Sequence, residues 1–210
     1  MGITTFLGEI IGNFLLFLTE LTGNYGVAII LLTIAIRLLM YPLTLNQMKS
    51  AVQMRKLQPK LQALQERFKD NPQEYQKRVM ELWKEHGINP FSGCLPLLVQ
   101  LPILYALFAV LRDFSFEGIS PNFLIWDLSV NDPYYVLPIL AGVTTYLQAM
   151  MTMTDPSQRT MLMVMPVVIT LVSISFPAGV VLYWLTSNLF AIAQQFLITR
   201  TVAEGGQGTT

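Results

Sequence analysis

The sequence predicts an all-α integral membrane protein: five transmembrane helices, a cytoplasmic helical hairpin, and an N-terminal amphipathic helix in the membrane interface. Three observations carry this. Of 210 residues, 53% are hydrophobic and only 12% charged, about half the ~25% charge of an ordinary soluble domain. Five apolar stretches approach the roughly 20 residues that cross hydrocarbon as a helix. The basic residues are unevenly placed, with nine Lys and Arg in one long loop and a loop after it whose charges are acidic.

The first element, residues 1–22, places Ile3, Phe6, Leu7, Ile10, Phe14, Phe17, Leu18 and Leu21 on one helical face. Thr5, Glu9, Gly12, Asn13 and Glu20 fall on the other. That pattern suits a helix lying in the interface rather than crossing it. A signal peptide would need a basic start, and Glu9 argues against its apolar region. The core, residues 23–198, holds the spans: about Tyr25 to Leu45, Gly93 to Leu111, Tyr134 to Met153, Met161 to Phe176, and Ala178 to Ile198. Only Pro177 separates the last two, which predicts a tight turn at the membrane edge. Residues 199–210, rich in Gly and Thr, read as a disordered tail.

The loop between the first two spans carries Lys49, Arg55, Lys56, Lys60, Arg67, Lys69, Lys77, Arg78 and Lys84. The next loop carries Asp113, Glu117, Asp127 and Asp132. Cytoplasmic loops collect Lys and Arg, so the first loop is expected inside, the N-terminus outside and the C-terminus inside. Arg159 and Arg200 agree. Within 46–88, Met54, Leu57, Leu61, Leu64 and Phe68 recur at steps of three and four. Tyr75, Val79, Leu82 and His86 do the same, and Asn71-Pro72 marks a turn between them. This reads as an antiparallel hairpin with a heptad-like seam. Pro59 is expected to start the first arm at its N1 position, leaving 46–58 as a separate connecting helix.

Chemistry of the enzymatic kind finds little material. The lone cysteine, Cys94, reads as a small buried residue, and the lone histidine, His86, as a seam or surface residue. No P-loop, metal-protease signature or nucleophile motif is present. No enzyme activity, cofactor, metal site or nucleic-acid recognition is expected.

Arg37 asks for a function. It lies well inside the first span, where an arginine costs roughly 2.5–3.5 kcal/mol on insertion scales, and no Asp or Glu lies in any span to pair with it. Snorkelling to the inner headgroups would have to cover about 13 Å of helix, more than the side chain reaches. A wet cavity open to the cytoplasm is the better reading. Polar residues that can line it are Gln100 in the second span, Thr144, Thr145 and Gln148 in the third, and Thr170, Ser173 and Ser175 in the fourth. The fifth offers Thr186, Ser187, Asn188, Gln194 and Gln195. Each alone could bond its own helix backbone or glue helices together. A cavity with one arginine also suits an anion-binding transporter or channel, although no internal repeat or paired half-helix break is visible.

Four stretches carry a resemblance: TIAIRLLMYPLT around Arg37, GCLPLLVQLPILYALF, YYVLPILAGVTTYLQ and FPAGVVLYWLTSNLFAIAQQ. In order and spacing, over about Tyr25 to Ile198, the chain resembles the YidC/Oxa/Alb membrane insertases, in a short form without the large extracytoplasmic domain. The resemblance implies a hydrophilic groove open to the cytoplasm and to lipid, with Arg37 as its functional arginine and Gln148 and Trp184 in its lining. The full set expected at the groove is therefore Arg37, Gln100, Thr145, Gln148, Ser173, Trp184, Asn188 and Gln195. It also implies nascent membrane proteins and the lipid bilayer as partners, leaves a Sec translocon and the ribosome open, and places the chain in a bacterial plasma membrane.

Overall fold

The computed structural model describes residues 3–87, 95–112, 120–152 and 159–205. Eight helices account for nearly all of them: α1 (Ile3–Thr22), α2 (Tyr25–Leu39), α3 (Tyr41–Arg67), α4 (Pro72–Glu85), α5 (Leu95–Arg112), α6 (Val136–Thr152), α7 (Arg159–Ser173) and α8 (Ala178–Gly205). A two-residue antiparallel ladder, β1 (Asn122–Phe123) with β2 (Trp126–Asp127), interrupts the all-α pattern. The all-α expectation missed it because two residues of ladder leave no periodicity to read. Cys94 lies outside the described residues.

By length and composition, α1 and α8 are long and apolar enough to cross a membrane. The pair formed by α2 and the start of α3, bent by 58°, makes a third, and α5, α6 and α7 contribute shorter apolar helices. The chain is an all-α, multi-pass membrane protein. Apolar side chains lie on its outside as well as in its core. Large apolar side chains such as Ile139, Val143, Val167 and Leu171 are exposed, while Thr144, Asn188, Gln194 and Gln195 are buried. An exposed apolar surface of this extent has lipid as its solvent.

α8 is the central post, packing on α2, α5 and α6, with α7 against α6 and α1 against α2 and α5. The core runs through Leu15, Ile29, Leu32, Leu107, Leu137, Val181 and Tyr183. α6 and α7 approach closely because residue 142 is glycine: a Cβ there would collide with the Thr170 hydroxyl.

Several elements differ from the sequence reading. The predicted first span breaks at Met40. Pro42 in the first turn of α3 has no N–H to continue α2 and its ring crowds the preceding turn. α3 then runs unbroken through Pro59 to Arg67, so 46–58 is not a separate helix and Pro59 is not its start. Pro59 is solvent-exposed, so water can take the carbonyl that it leaves unpaired. α8 continues to Gly205, seven residues into the expected 199–210 tail, and 206–210 lie outside the described residues. Thr201 to Glu204 contain no helix breaker, and glycine appears only at 205.

α1 buries a face offset from the apolar one expected of it. Ile11 and Leu15, outside the expected face, are buried with Leu18, whereas Phe6, Ile10, Phe14, Phe17 and Leu21 of that face are exposed. Gly23, at φ +65, ends the helix in the left-handed conformation that glycine adopts freely. In the α3–α4 pair, Leu57 and Val79 are buried. Asn71 caps α4 by accepting a 3.2 Å hydrogen bond from the Glu74 amide, with Pro72 following it in the first turn. His86 is exposed, its rings' Nδ1 2.9 Å from the Leu82 carbonyl and Nε2 3.3 Å from Lys60 Nζ.

The segment 120–135 covers one end of the bundle. Its Val130 and Leu128 carbonyls accept hydrogen bonds from the Ala178 and Gly179 amides at 2.8 and 3.0 Å. Asn131 Nδ2 donates to the Ile174 carbonyl. The buried Asp132 carboxylate accepts from the amides of Tyr134 and Leu137, capping α6. Phe123 lies over Gly26, where no Cβ would fit.

Candidate functional site

Arg37 sits in the last turn of α2, three residues before the break at Met40. Its Nε donates a 2.7 Å hydrogen bond to Ser187 Oγ on α8. The Tyr183 hydroxyl, one turn back on the same face of α8, accepts from Gln100 Nε2 of α5 at 2.9 Å. Two polar contacts, α2 to α8 and α5 to α8, thus lie one turn apart on α8. Among the described residues no carboxylate pairs with Arg37; the ion pairs there are those of Arg78 with Glu74 and Glu81.

A second cluster joins α8 to α6. Asn188 Nδ2 donates to Thr144 Oγ1 at 3.2 Å and to Thr145 Oγ1 at 2.9 Å. Trp184 Nε1 donates to Thr145 Oγ1 at 3.2 Å. The threonine hydroxyls donate to their own helix, Thr144 to Leu140 O and Thr145 to Ala141 O. Each oxygen therefore bonds the backbone and accepts across the interface at once, so the local and interhelical uses of these residues do not compete.

These groups form one layer. Arg37 lies 12 residues into α2, Ser187 nine into α8, Thr144 eight into α6, and Gln100 12 from the end of α5. At 1.5 Å per residue they lie ~12–18 Å from the capped end, near the middle of a ~30 Å hydrocarbon core. The layer forms because the i, i+4 spacing of Tyr183 and Ser187, and of Trp184 and Asn188, holds two adjacent polar ridges on α8. One ridge faces α2 and α5, the other α6.

Of the predicted site residues, Arg37, Gln100, Thr145, Trp184 and Asn188 meet in this layer. Gln195 lies further along, donating to the Met151 carbonyl at 2.9 Å. Gln148 is half-buried on α6, one turn beyond Thr144. Ser173 is a correction of place. It is buried, but it is the last residue of α7, where its carbonyl accepts from the Phe176 amide in the turn toward α8. Composition marked it polar and in a span, but its depth depends on where α7 ends. Tyr183 was missed. Its signal was available: it stands four residues before Ser187, on the same face.

Gln194 is 6% exposed, and neither its Nε2 nor its Oε1 has a partner among the described residues. It follows Ser187 by seven residues, on the same side of α8. A buried amide with both ends unsatisfied calls for water or a polar ligand group.

The family model described as 60Kd inner membrane protein matches residues 17–205. The chain is 46% identical over 191 residues to a membrane protein insertase YidC of Geobacter sulfurreducens, covering 89% of this chain and 36% of that protein. It is 46% identical over 203 residues to the membrane protein insertase YidC of Francisella tularensis subsp. novicida, covering 95% of this chain and 37% of that one. The chain therefore spans little more than a third of the length of these relatives. Among solved structures, an active YidC insertase with its first transmembrane domain resolved superposes with a TM-score of 0.76 at 35% identity, over 90% of this chain and 45% of that one.

Proposed function

The chain belongs to the YidC/Oxa/Alb family of membrane insertases, and on that premise we propose that it inserts nascent membrane proteins into a bacterial plasma membrane and helps them fold. The observation that carries the reading is Arg37: a charge at half-depth in a membrane protein, held by a serine and matched by no carboxylate among the described residues. A purely structural charge at that depth would be paired, because burying it alone is costly. An unpaired one suits a site that receives negative charge from outside.

The polar layer is the floor of a hydrophilic groove open toward the cytoplasm and lipid, lined also by Gln148 and Gln195, with Gln194 supplying unsatisfied donors and acceptors to water or substrate. Five spans build it: α2 with the start of α3, then α5, α6, α7 and α8. The N-terminus is outside and the C-terminus inside, and the basic α3–α4 pair lies in the cytoplasm, where substrates arrive. α1 lies in the outer interface. Its exposed Glu9 and Asn13 would otherwise stand in hydrocarbon, while Phe6, Ile10, Phe14, Phe17 and Leu21 suit the acyl boundary.

The physical problem is carrying a short polar segment across hydrocarbon. Water at half-depth shortens the dry path. Arg37 attracts an acidic segment by roughly 4 kcal/mol at 4 Å and an effective dielectric of about 20, enough to offset part of the desolvation and weak enough for release. The substrate's apolar helix then passes between the groove and lipid along α6 and α8, driven by burial of apolar surface. No bond is made or broken. A Sec translocon and the ribosome are candidate partners.

The test is insertion into liposomes containing the purified protein, scored by protease protection of a single-spanning substrate with an acidic N-terminal tail. Arg37→Ala is expected to reduce protection at least about tenfold, a loss of ~1.4 kcal/mol, and Arg37→Lys to retain most of it. Equal insertion by wild type and Arg37→Ala would remove Arg37 from the mechanism.

A further inference from the structure

The turn of the β1–β2 hairpin is Leu124-Ile125. Leu124 has φ +54, the left-handed region. Two-residue hairpin turns place Gly, Asn or Asp at such positions, because those residues tolerate the conformation and their polar surface suits water. Here the strained position carries a leucine that is 80% exposed, followed by an isoleucine that is 65% exposed. Both choices depart from turn chemistry in the same direction, toward apolar surface, and nothing among the described residues covers them. The tip is not on a loose strand. Phe123 seats the ladder on Gly26, Leu128 is buried, and the segment is tied to α8 by the Ala178 and Gly179 amides.

The same segment ends in a second departure. Tyr135, at φ +57, and Tyr134 are both more than half exposed, and they stand immediately before Val136, the first residue of α6. The apolar surface continues from them along the exposed side of α6, through Ile139 and Val143, which has lipid as its solvent. Tyrosines at the end of an apolar helix suit the headgroup level, ring in the acyl boundary and hydroxyl in water.

We propose that the segment 120–135 is a membrane anchor: Leu124 and Ile125 insert into the outer boundary of the lipid bilayer, and Tyr134 and Tyr135 hold the headgroup level at the start of α6. The occupant of this surface is phospholipid. Insertion offsets the strain at Leu124 and pins the segment over the outer ends of α2 and α8. The proposal rests on the chain being a membrane protein and is independent of what the groove carries.

The test uses the full chain in phosphatidylcholine–phosphatidylglycerol liposomes, with Cys94→Ser as background and a nitroxide attached at Leu124→Cys. Power saturation compares relaxation by oxygen, which concentrates in lipid, with relaxation by a water-soluble nickel chelate. Oxygen is expected to dominate at position 124 and at Ile125→Cys, and the nickel chelate at Ser120→Cys, an exposed residue of the same segment. Nickel dominance at both 124 and 125 would put the tip in water and overturn the proposal. Poor access for both reagents would mean that protein, from a second copy or another partner, covers the tip, and would overturn it equally. Insertion activity is not read, so failure here leaves the groove reading untouched, and failure there leaves this one untouched.

Discussion

Arg78 and Arg37 carry the same guanidinium into two different solvents. On α4, Arg78 is held between Glu74 at 2.9 Å and Glu81 at 3.0 Å, with about half of its side chain exposed. Helical spacing brings the three together, and water supports each of them alone. Such surface pairs contribute ~0–1 kcal/mol. On α2, Arg37 has one hydrogen bond among the described residues, to a serine 150 residues away. The region with more ion pairs depends on them least. Around α3 and α4 the apolar residues Leu57 and Val79 are inside and the charges outside; at Arg37 the charge is partly buried and the adjoining Leu38 and Leu39 are exposed. Electrostatic bonds add little where water solvates each partner alone, and a charge without that solvent needs another polar partner.

The contrast can be broken in graded ways. Its widest margin is functional: the loss of at least about tenfold expected for Arg37→Ala, against unchanged insertion for Arg78→Ala. Comparable losses from both would mean that charge on the cytoplasmic pair, and not depth, is what matters. Next is packing. Gly142→Leu drives a side chain into Thr170 and is expected to destabilise the α6–α7 contact by ~1–3 kcal/mol, seen as a lower midpoint of thermal unfolding in detergent. An unchanged midpoint would show that the two helices are not held this close.

Asn188→Leu tests the polar layer as structure. It removes the donor to Thr144 and Thr145, and interhelical hydrogen bonds in membranes average ~0.6 kcal/mol. A loss of about 1 kcal/mol is expected, with the threonines still satisfied through their own backbones. A gain in stability would mean that the layer is kept for substrate and costs the fold. The smallest effect belongs to the surface pair: Arg78→Ala should change stability by no more than ~0.5 kcal/mol, less still at high salt. A larger loss would contradict the view that water already solvates these charges.

Much of this was legible in the sequence because hydrocarbon imposes coarse rules. Lengths of apolar run located α5, α6 and α7 to within three residues, and the start of α8. The 3–4 spacing in α3 and α4 included Leu57 and Val79, the two residues of these helices that are buried among those described. Asn71-Pro72 marked their turn. Arg37 stood out by the cost of its place. Pro59 misled because a proline disfavours a helix interior without forbidding it where its lost hydrogen bond is replaced by water.

What the sequence determined by itself is therefore which segments are helices, which must meet lipid, and which charge is out of place. Only the tertiary structure decided which apolar faces pack, which is why α1 turned Ile11, Leu15 and Leu18 inward and left Phe6, Phe17 and Leu21 outward. It also decided that Arg37 finds Ser187, that Tyr183 joins Gln100, and that Ser173 falls at the turn instead of in the polar layer. The physical reason is that periodicity reports contrast between water and core. In a membrane the outside and the inside of a helix are both apolar, so the contrast that would name the packed face is absent until the neighbouring helices are in place.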